Sequence, residues 1–324
     1  MSILLWRQIQ RENFTDWKKL LTYLELDLTA AESIVLQSSK FPLNIPKRLA
    51  QKIDRGNWED PILCQFLPTL KEQEPSPLFV LNPIGDEESR KTSKLLHKYH
   101  GRALLVCTSA CAMHCRFCFR QHFPYETEVK PFDKELEEIA KDPSLNEIIL
   151  SGGDPLSMSN AQLERLFNDL GAISHLKKIR FHTRFPMGIP ERIDEEFLQI
   201  LKSCPKQVIF IVHCNHPKEF DADVFQSLKK VQKLGIPILT QSVLLKGIND
   251  DVATLQELFS LLVDNGILPY YLHQLDRVQG AAHFEVSEAK GLELMQQVAT
   301  LLPGYALPKY VREIAGEPMK TPVF

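Results

Sequence analysis

Ala103-Leu104-Leu105-Val106-Cys107-Thr108-Ser109-Ala110-Cys111-Ala112-Met113-His114-Cys115-Arg116-Phe117-Cys118 decides the reading of this chain: a short apolar, β-rich run passes directly into a loop that carries three cysteines. Runs of the same kind start near Glu147, Lys178, Gln207, Pro237 and Leu268. After the first, they recur roughly every thirty residues, close to the length of a βαβ crossover. Amphipathic helical windows separate them at Asp133–Ala140, Ala161–Leu170, Ile193–Ser203, Asp221–Leu234 and Asp251–Asn265, and Ser287–Leu302 follows the sixth run. Asp133, Ser159 or Asn160, and Asp221 stand where helix caps are expected. Strand and helix in strict alternation predict an α/β fold with six parallel strands and an active site at their carboxyl ends.

On the N-terminal side, Phe14 to about His97 reads as helical, with Trp17, Leu20, Leu21 and Leu24 at helical spacing and prolines at 42, 46, 61, 68, 75 and 77 dividing it into short pieces. Residues 1–98 are therefore expected to form a helical cap and 99–324 the catalytic unit, with Glu72–Pro77 as a connector. At 324 residues, 44% hydrophobic and 24% charged, the chain has the composition of a globular protein. Its net charge of −3 and the absence of a basic run argue against nucleic acid. No apolar run approaches a membrane span, and the Met1–Trp6 opening is too short for a secretory signal, so a cytoplasmic protein with small-molecule substrates and no membrane partner is expected.

Seven cysteines, an odd number, argue against a disulfide framework. Cys64, Cys107, Cys204 and Cys214 read as small buried hydrophobes. Cys111, Cys115 and Cys118 are different, because three thiolates on one turn can bind three irons of a four-iron cluster and leave the fourth iron open to a small molecule. The competing reading is a zinc knuckle completed by His114 or His122. Zinc sites usually bring their cysteines in separated pairs, and no second pair exists here.

The CxxxCxxC spacing, with Phe117 before the third cysteine, resembles the radical S-adenosylmethionine (SAM) superfamily. That resemblance implies a partial (β/α)6 TIM-like barrel, a 4Fe-4S cluster on Cys111, Cys115 and Cys118, and SAM. It also gives Ser151-Gly152-Gly153-Asp154-Pro155, after the second run, to the methionine amino group. Glycines there would let backbone approach the ligand, and the acid would suit an ammonium.

Further motifs narrow the resemblance to the lysine 2,3-aminomutase family: Lys98-Tyr99-His100-Gly101-Arg102, Cys118-Phe119-Arg120, His213-Cys214-Asn215-His216-Pro217, Gln241-Ser242-Val243-Leu244-Leu245, Pro269-Tyr270-Tyr271, Asp276 and Lys320-Thr321-Pro322-Val323. By this likeness Lys320 holds pyridoxal 5′-phosphate through an imine, although a lysine is ordinarily only a solvated surface charge. Lys98, Tyr99 and Arg102 fall near that cofactor, where cations and a hydroxyl suit a phosphate dianion. His213 and Gln241 fall in the SAM and cofactor pocket. Arg120 matches the arginine that binds the substrate α-carboxylate, and Asp276 and Glu313 match the acids that hold the distal ammonium of lysine.

Within the family the chain is most similar to the branch that makes (R)-β-lysine for elongation factor P. It carries Arg312-Glu313-Ile314-Ala315-Gly316-Glu317-Pro318 before Lys320, ends four residues after that lysine, and runs Tyr271-Leu272-His273 into Gly280-Ala281-Ala282-His283-Phe284. The implied reaction takes a hydrogen from C3 of lysine with a 5′-deoxyadenosyl radical, moves nitrogen from C2 to C3 and returns hydrogen to C2. Implied partners are elongation factor P and its β-lysyl ligase, an electron donor such as flavodoxin, and a second copy of the chain. A catabolic lysine or glutamate 2,3-aminomutase is the alternative. Two departures bear on it: Glu313 stands where the catabolic enzymes have aspartate, and His273 where they have tyrosine. A change of one methylene in a pocket is worth roughly 1 to 3 kcal/mol.

Overall fold

The computed structural model describes residues 5–125 and 132–323. Four residues of the Met1–Trp6 stretch, and Phe324, lie outside that range. The described residues form one sheet of nine strands in sequential order. Strands β1 (Leu95–Tyr99) and β2 (Arg102–Thr108) are an antiparallel pair. Next come β3 (Glu147–Gly152), β4 (Lys178–Thr183), β5 (Gln207–His213), β6 (Ile238–Val243) and β7 (Leu268–His273), all parallel to β2. β8 (Lys309–Arg312) continues the parallel run, and β9 (Thr321–Pro322) closes it antiparallel.

Before the sheet, the chain forms five short helices: α1 (Leu5–Gln10), α2 (Trp17–Tyr23), α3 (Leu28–Ala31), α4 (Lys47–Gln51) and α5 (Pro61–Phe66). Within it run α6 (Asp133–Lys141), α7 (Asn160–Ala172), the single turn α8 (Phe185–Gly188), α9 (Glu195–Ser203), α10 (Ala222–Gln232), α11 (Val252–Asp264) and α12 (Glu288–Leu301). All six expected βα units are present, pairing β2 to β7 with α6, α7, α9, α10, α11 and α12. The sheet does not close on itself, because the antiparallel β1 and β9 occupy its two ends.

Three expectations need correction. Phe14 to His97 is not helical throughout: helix stops at Phe66, one 3-10 turn covers Leu70–Gln73, and Leu95 opens β1, which straddles the division at 98/99. The parallel run holds a seventh strand, β8, whose four residues are too few to register as a periodic run. Asp133 does not cap α6. Phe132 is the cap, and Asp133 instead adds a negative charge to the first turn, where the helix dipole favours it.

The other expected caps are present: Ser159 forms a capping box with Gln162 at the start of α7, and Asp221 accepts a backbone N–H at α10. Asp251 does the same at α11. α7 buries Leu163, Leu166, Phe167 and Leu170 along one face, each worth about 1.5–3 kcal/mol relative to exposure. Between strands and helices, Phe181 stacks on Phe210 at 5.4 Å and meets the edge of Phe197. The cap joins this core rather than standing apart: Trp6 is buried edge-on against Phe185 at 5.6 Å. Among the described residues no helix is long and apolar enough to cross a membrane.

Candidate active site

A cavity of about 530 Å³ opens at the carboxyl ends of the strands. Every site residue singled out from the sequence contributes to its wall: Cys111, Cys115, Cys118, Ser151, Gly152, Gly153, Asp154, His213, Gln241, Lys98, Tyr99, Arg102, Arg120, Asp276, Glu313 and Lys320. The cysteines occupy one part of the wall and Lys320 another.

The cysteine loop leaves β2 and is held from outside by the cap. The Asn13 amide donates to Ala112 O, His114 N–H to Asn44 O, and Arg116 N–H to Gln65 O. The Arg116 side chain turns away from the cavity and is almost wholly buried. Its Nε donates to Glu72 Oε1 at 2.9 Å, its Nη2 to the other Glu72 oxygen, and its Nη1 to Phe41 O. Glu72 thus lies in a brace rather than in a mere connector.

Cys111, Cys115 and Cys118 are free thiols, and burial pushes all three up, Cys118 to about 11; neighbouring thiols add to the rise at Cys111 and Cys118, and Glu219 and Asp154 at Cys115. Two arginines oppose this, Arg184 at Cys115 and Arg120 at Cys118. Arg184, just past β4, donates from Nη1 to Cys115 Sγ at 2.9 Å, while its Nη2 donates to Gln65 Oε1 and Glu219 Oε2. Among the described residues no three His, Cys, Asp or Glu side chains close around a single metal-ion position. His114 Nδ1 meets Pro42 O and His122 Nε2 meets Gln279 O, and with no three ligating side chains around one position the closed tetrahedral site of the zinc alternative is not assembled among the described residues. Three cavity-facing thiols with a guanidinium beside one of them fit a thiolate-ligated cluster.

The glycines at the end of β3 are required by the end of β2 and the start of the cysteine loop. A Cβ on Gly153 would lie 2.4 Å from Ala110 O, and one on Gly152, at φ +116°, 2.7 Å from Thr108 O. Asp154 corrects the sequence expectation. Its two oxygens accept from Thr183 Oγ1 and from the backbone N–H groups of Leu156, Arg184 and Phe185, which fills its accepting capacity. The side chain locks the ends of β3 and β4 together, and an ammonium here would have to meet backbone carbonyls instead.

His213 ends β5 and pairs in register with Gln241 of β6. Burial lowers His213 to about 4 and holds His182 and His273 well below the ordinary imidazole value, so the imidazoles of this wall are neutral at physiological pH. His182 and His213 lie 5.6 Å apart.

At the far wall Lys320 Nζ donates to Glu313 Oε2 at 2.6 Å, and Tyr99 OH donates to Glu313 Oε1. Lys98 Nζ lies 3.5 Å from the same oxygen and 3.0 Å from Asp86 Oδ1. Despite burial, these cations and the phenol hold Glu313 below the usual carboxylate range. Arg102 stacks on Tyr99 at 4.7 Å. Arg120 is buried, its Nε bonded to Asp86 Oδ2 at 2.9 Å and its Nη1 3.3 Å from Ser151 Oγ. The Asp276 backbone carbonyl accepts from Val278 N–H, while its carboxylate has no hydrogen bond or ion pair among the described residues. Burial raises its pKa to about 7; Lys320 pulls it down and Glu313 pushes it up. The Tyr99 hydroxyl and several cations around Lys320 fit a phosphorylated pyridine aldehyde, whose phosphate and imine need those donors.

Asp86, Arg116, Arg184, Glu219, Gln65 and His182 were not legible as site residues. For Arg184 a signal existed, since it directly follows a strand end. Asp86 offered none beyond an adjacent Gly85 that turns at φ +67°. Cys107 and Cys214 are buried as expected, whereas Cys64 and Cys204 are only half-buried.

A partial parallel α/β barrel with three cysteines on its first βα loop defines a radical SAM protein, and residues 105–259 match the Radical SAM superfamily. A radical SAM methyltransferase from Sphaerobacter thermophilus shares the fold, with a TM-score of 0.51 at 19% identity over 67% of this chain and 68% of its own. L-lysine 2,3-aminomutase of Escherichia coli (strain K12) is 41% identical over 95% of this chain and 91% of its own length, and that of Haemophilus influenzae is 38% identical over 98% and 94%. That of Clostridium subterminale is 30% identical over 98% of this chain and 77% of its own. The chain belongs to the lysine 2,3-aminomutase family. Its cofactors are those of the family: a 4Fe-4S cluster, SAM and pyridoxal phosphate.

Proposed function

We propose that this chain converts L-α-lysine to (R)-β-lysine in the cytoplasm, and that the product serves to modify elongation factor P through a β-lysyl ligase. The observation that carries the reading is the sharing of one cavity by three free thiols and by Lys320 with its two acids. Residues 1–98 brace the cluster loop and contribute Lys98 to the site, and 99–324 supply the rest of the chemistry. When bound, the cluster with SAM would supply a 5′-deoxyadenosyl radical, and pyridoxal phosphate would supply an aldehyde carbon, conjugated to its ring, that bonds the amino nitrogen and can spread an unpaired electron while that nitrogen shifts between adjacent substrate carbons.

Cys111, Cys115 and Cys118 hold the cluster, and Arg184 stabilises negative charge on the sulfur of Cys115. The backbone of Ser151, Gly152 and Gly153 with His213 and Gln241 receives SAM, and Asp154 fixes that turn from behind. Lys320 anchors pyridoxal phosphate, with Lys98, Tyr99 and Arg102 around its phosphate. Arg120 takes the α-carboxylate of lysine, and Asp276 with Glu313 takes the distal ammonium. Glu313 has to exchange its partner Lys320 for substrate as the site fills. The low-polarity wall of neutral imidazoles and thiols excludes water from a radical that would attack any misplaced neighbour.

Two acids near the distal end favour lysine over glutamate, whose side-chain carboxylate they would repel. Anaerobic incubation with SAM, a reductant and L-lysine, followed by chiral chromatography, tests the reading: (R)-β-lysine supports it, and the opposite hand or β-glutamate formed from glutamate removes it. An electron donor such as flavodoxin and a second copy of the chain complete the proposed partners.

A further inference from the structure

Asp86 belongs to no element and to no motif, yet it is 3% exposed and touches both cations that the functional reading gives to different ligands. Its Oδ2 accepts Arg120 Nε at 2.9 Å, and its Oδ1 lies 3.0 Å from Lys98 Nζ. A buried carboxylate is retained only where its charge is compensated, and here the two cations hold it below its ordinary range in spite of burial.

The geometry of the Arg120 contact is what carries meaning. Asp86 takes the Nε side of the guanidinium, Phe119 stacks on it at 4.7 Å and Phe123 lies at 5.8 Å. The Nη1 corner points to Ser151 Oγ on the cavity wall. An arginine pinned through Nε cannot swing, and its two Nη groups form the edge that binds a carboxylate bidentately. The Pro83-Ile84-Gly85 turn delivers Asp86 to this place: Ile84 O accepts Lys98 Nζ at 2.6 Å, and Gly85 turns at φ +67°.

We infer that Asp86 is a positioning residue for substrate selection, which aims the Nη edge of Arg120 at the α-carboxylate of the incoming amino acid and ties that edge to Lys98. The inference rests on the reading of Arg120 as the carboxylate-binding residue. Without the pin the guanidinium gains freedom that substrate binding must remove again, so the loss falls on binding rather than on the chemical step.

The test uses anaerobically reconstituted full-length protein carrying Asp86→Asn, Asp86→Glu, Arg120→Lys, and Asp86→Asn with Arg120→Lys. Expected for Asp86→Asn are unchanged iron content and pyridoxal absorbance, a lysine KM raised about tenfold or more as for a lost charge-assisted hydrogen bond, and kcat within about threefold. Asp86→Glu should recover part of the KM, and the double variant should be little worse than Arg120→Lys alone. An unchanged KM, or losses that multiply in the double variant, overturns the inference. Lost iron would make Asp86 a structural residue, and lost pyridoxal absorbance with KM intact would tie it to Lys98 alone; either result also overturns it. A wild-type protein that makes no β-lysine removes the functional reading itself, which is a different outcome from wild-type turnover with an indifferent Asp86.

Discussion

The ammonium of Lys320 sits 2.6 Å from Oε2 of Glu313, seven residues earlier in the chain, and the other Glu313 oxygen is taken by Tyr99. The contact folds the segment after β8 back over the cavity, so that β9 can pair antiparallel with β8. A lysine held this way inside a cavity, with aromatic and cationic neighbours, is placed for imine chemistry and not for solvation. Lys320→Ala should therefore lose both β-lysine formation and the pyridoxal absorbance while keeping its iron. Conversion of lysine at the wild-type rate by that variant would remove Lys320 from the reaction.

The six βα units were legible because their strands are apolar runs and their helices carry an apolar face, the two periods that sequence displays directly. β1 was hidden because Leu95 and Leu96 continue the spacing of a region that reads as helical, and β9 because two residues have no period at all. The cysteines announced themselves by spacing. Lys320, Arg120 and Asp276 became visible only through family likeness, since nothing local distinguishes them from surface charges. Arg184, Asp86 and Arg116 stayed hidden for a physical reason: each acts through partners distant in sequence, such as Gln65, Lys98 and Glu72, and only the folded chain brings them together.

Asp276 gives the site a pH signature. To hold an ammonium the carboxyl must be ionised, and burial raises its pKa to about 7 in the free protein. Below that value the protonated form dominates, so kcat/KM for lysine should fall about tenfold per pH unit on the acidic side of neutrality. His213, at about 4, and His182 and His273, which burial holds well below the ordinary imidazole value, cannot produce a limb near 7. Asp276→Asn should abolish the limb, raise KM and leave iron content unchanged. A profile that keeps its acidic limb in that variant assigns the titration elsewhere.

Arg184 should set the electronics of the cluster end. Its guanidinium lies 2.9 Å from Cys115 Sγ and is itself balanced by Glu219. Removing a cation beside a ligating sulfur makes the added electron less welcome. Arg184→Gln is therefore expected to shift the reduction potential of the cluster in the negative direction by on the order of 50–100 mV, the equivalent of one charge-assisted hydrogen bond. Arg184→Lys should shift it less. Potentiometric titration followed by electron paramagnetic resonance reads both, and a potential unmoved in the glutamine variant would reduce Arg184 to a packing role.

The Arg116–Glu72 pair decides whether the N-terminal region is a lid or part of the cluster site. Arg116 is 1% exposed and Glu72 7%, and the two residues lie 44 positions apart. Removing one partner strands the other as an uncompensated buried charge, a loss of about 3–5 kcal/mol, whereas removing both is far less costly. Arg116→Met should thus lower the stability of the metal-free protein by that amount, and Arg116→Met with Glu72→Gln should restore most of it. Iron uptake separates the two roles. If the brace only stabilises, the double variant takes up iron as well as wild type. If it holds Cys115 and Cys118 in register from both sides of Arg116, uptake stays low after stability has returned. The second outcome is expected, because the bonds lost with the guanidinium, to Glu72 and to Phe41 O, are the ones that anchor the side chain standing between two of the ligating cysteines to the N-terminal region, and a methionine replaces none of them.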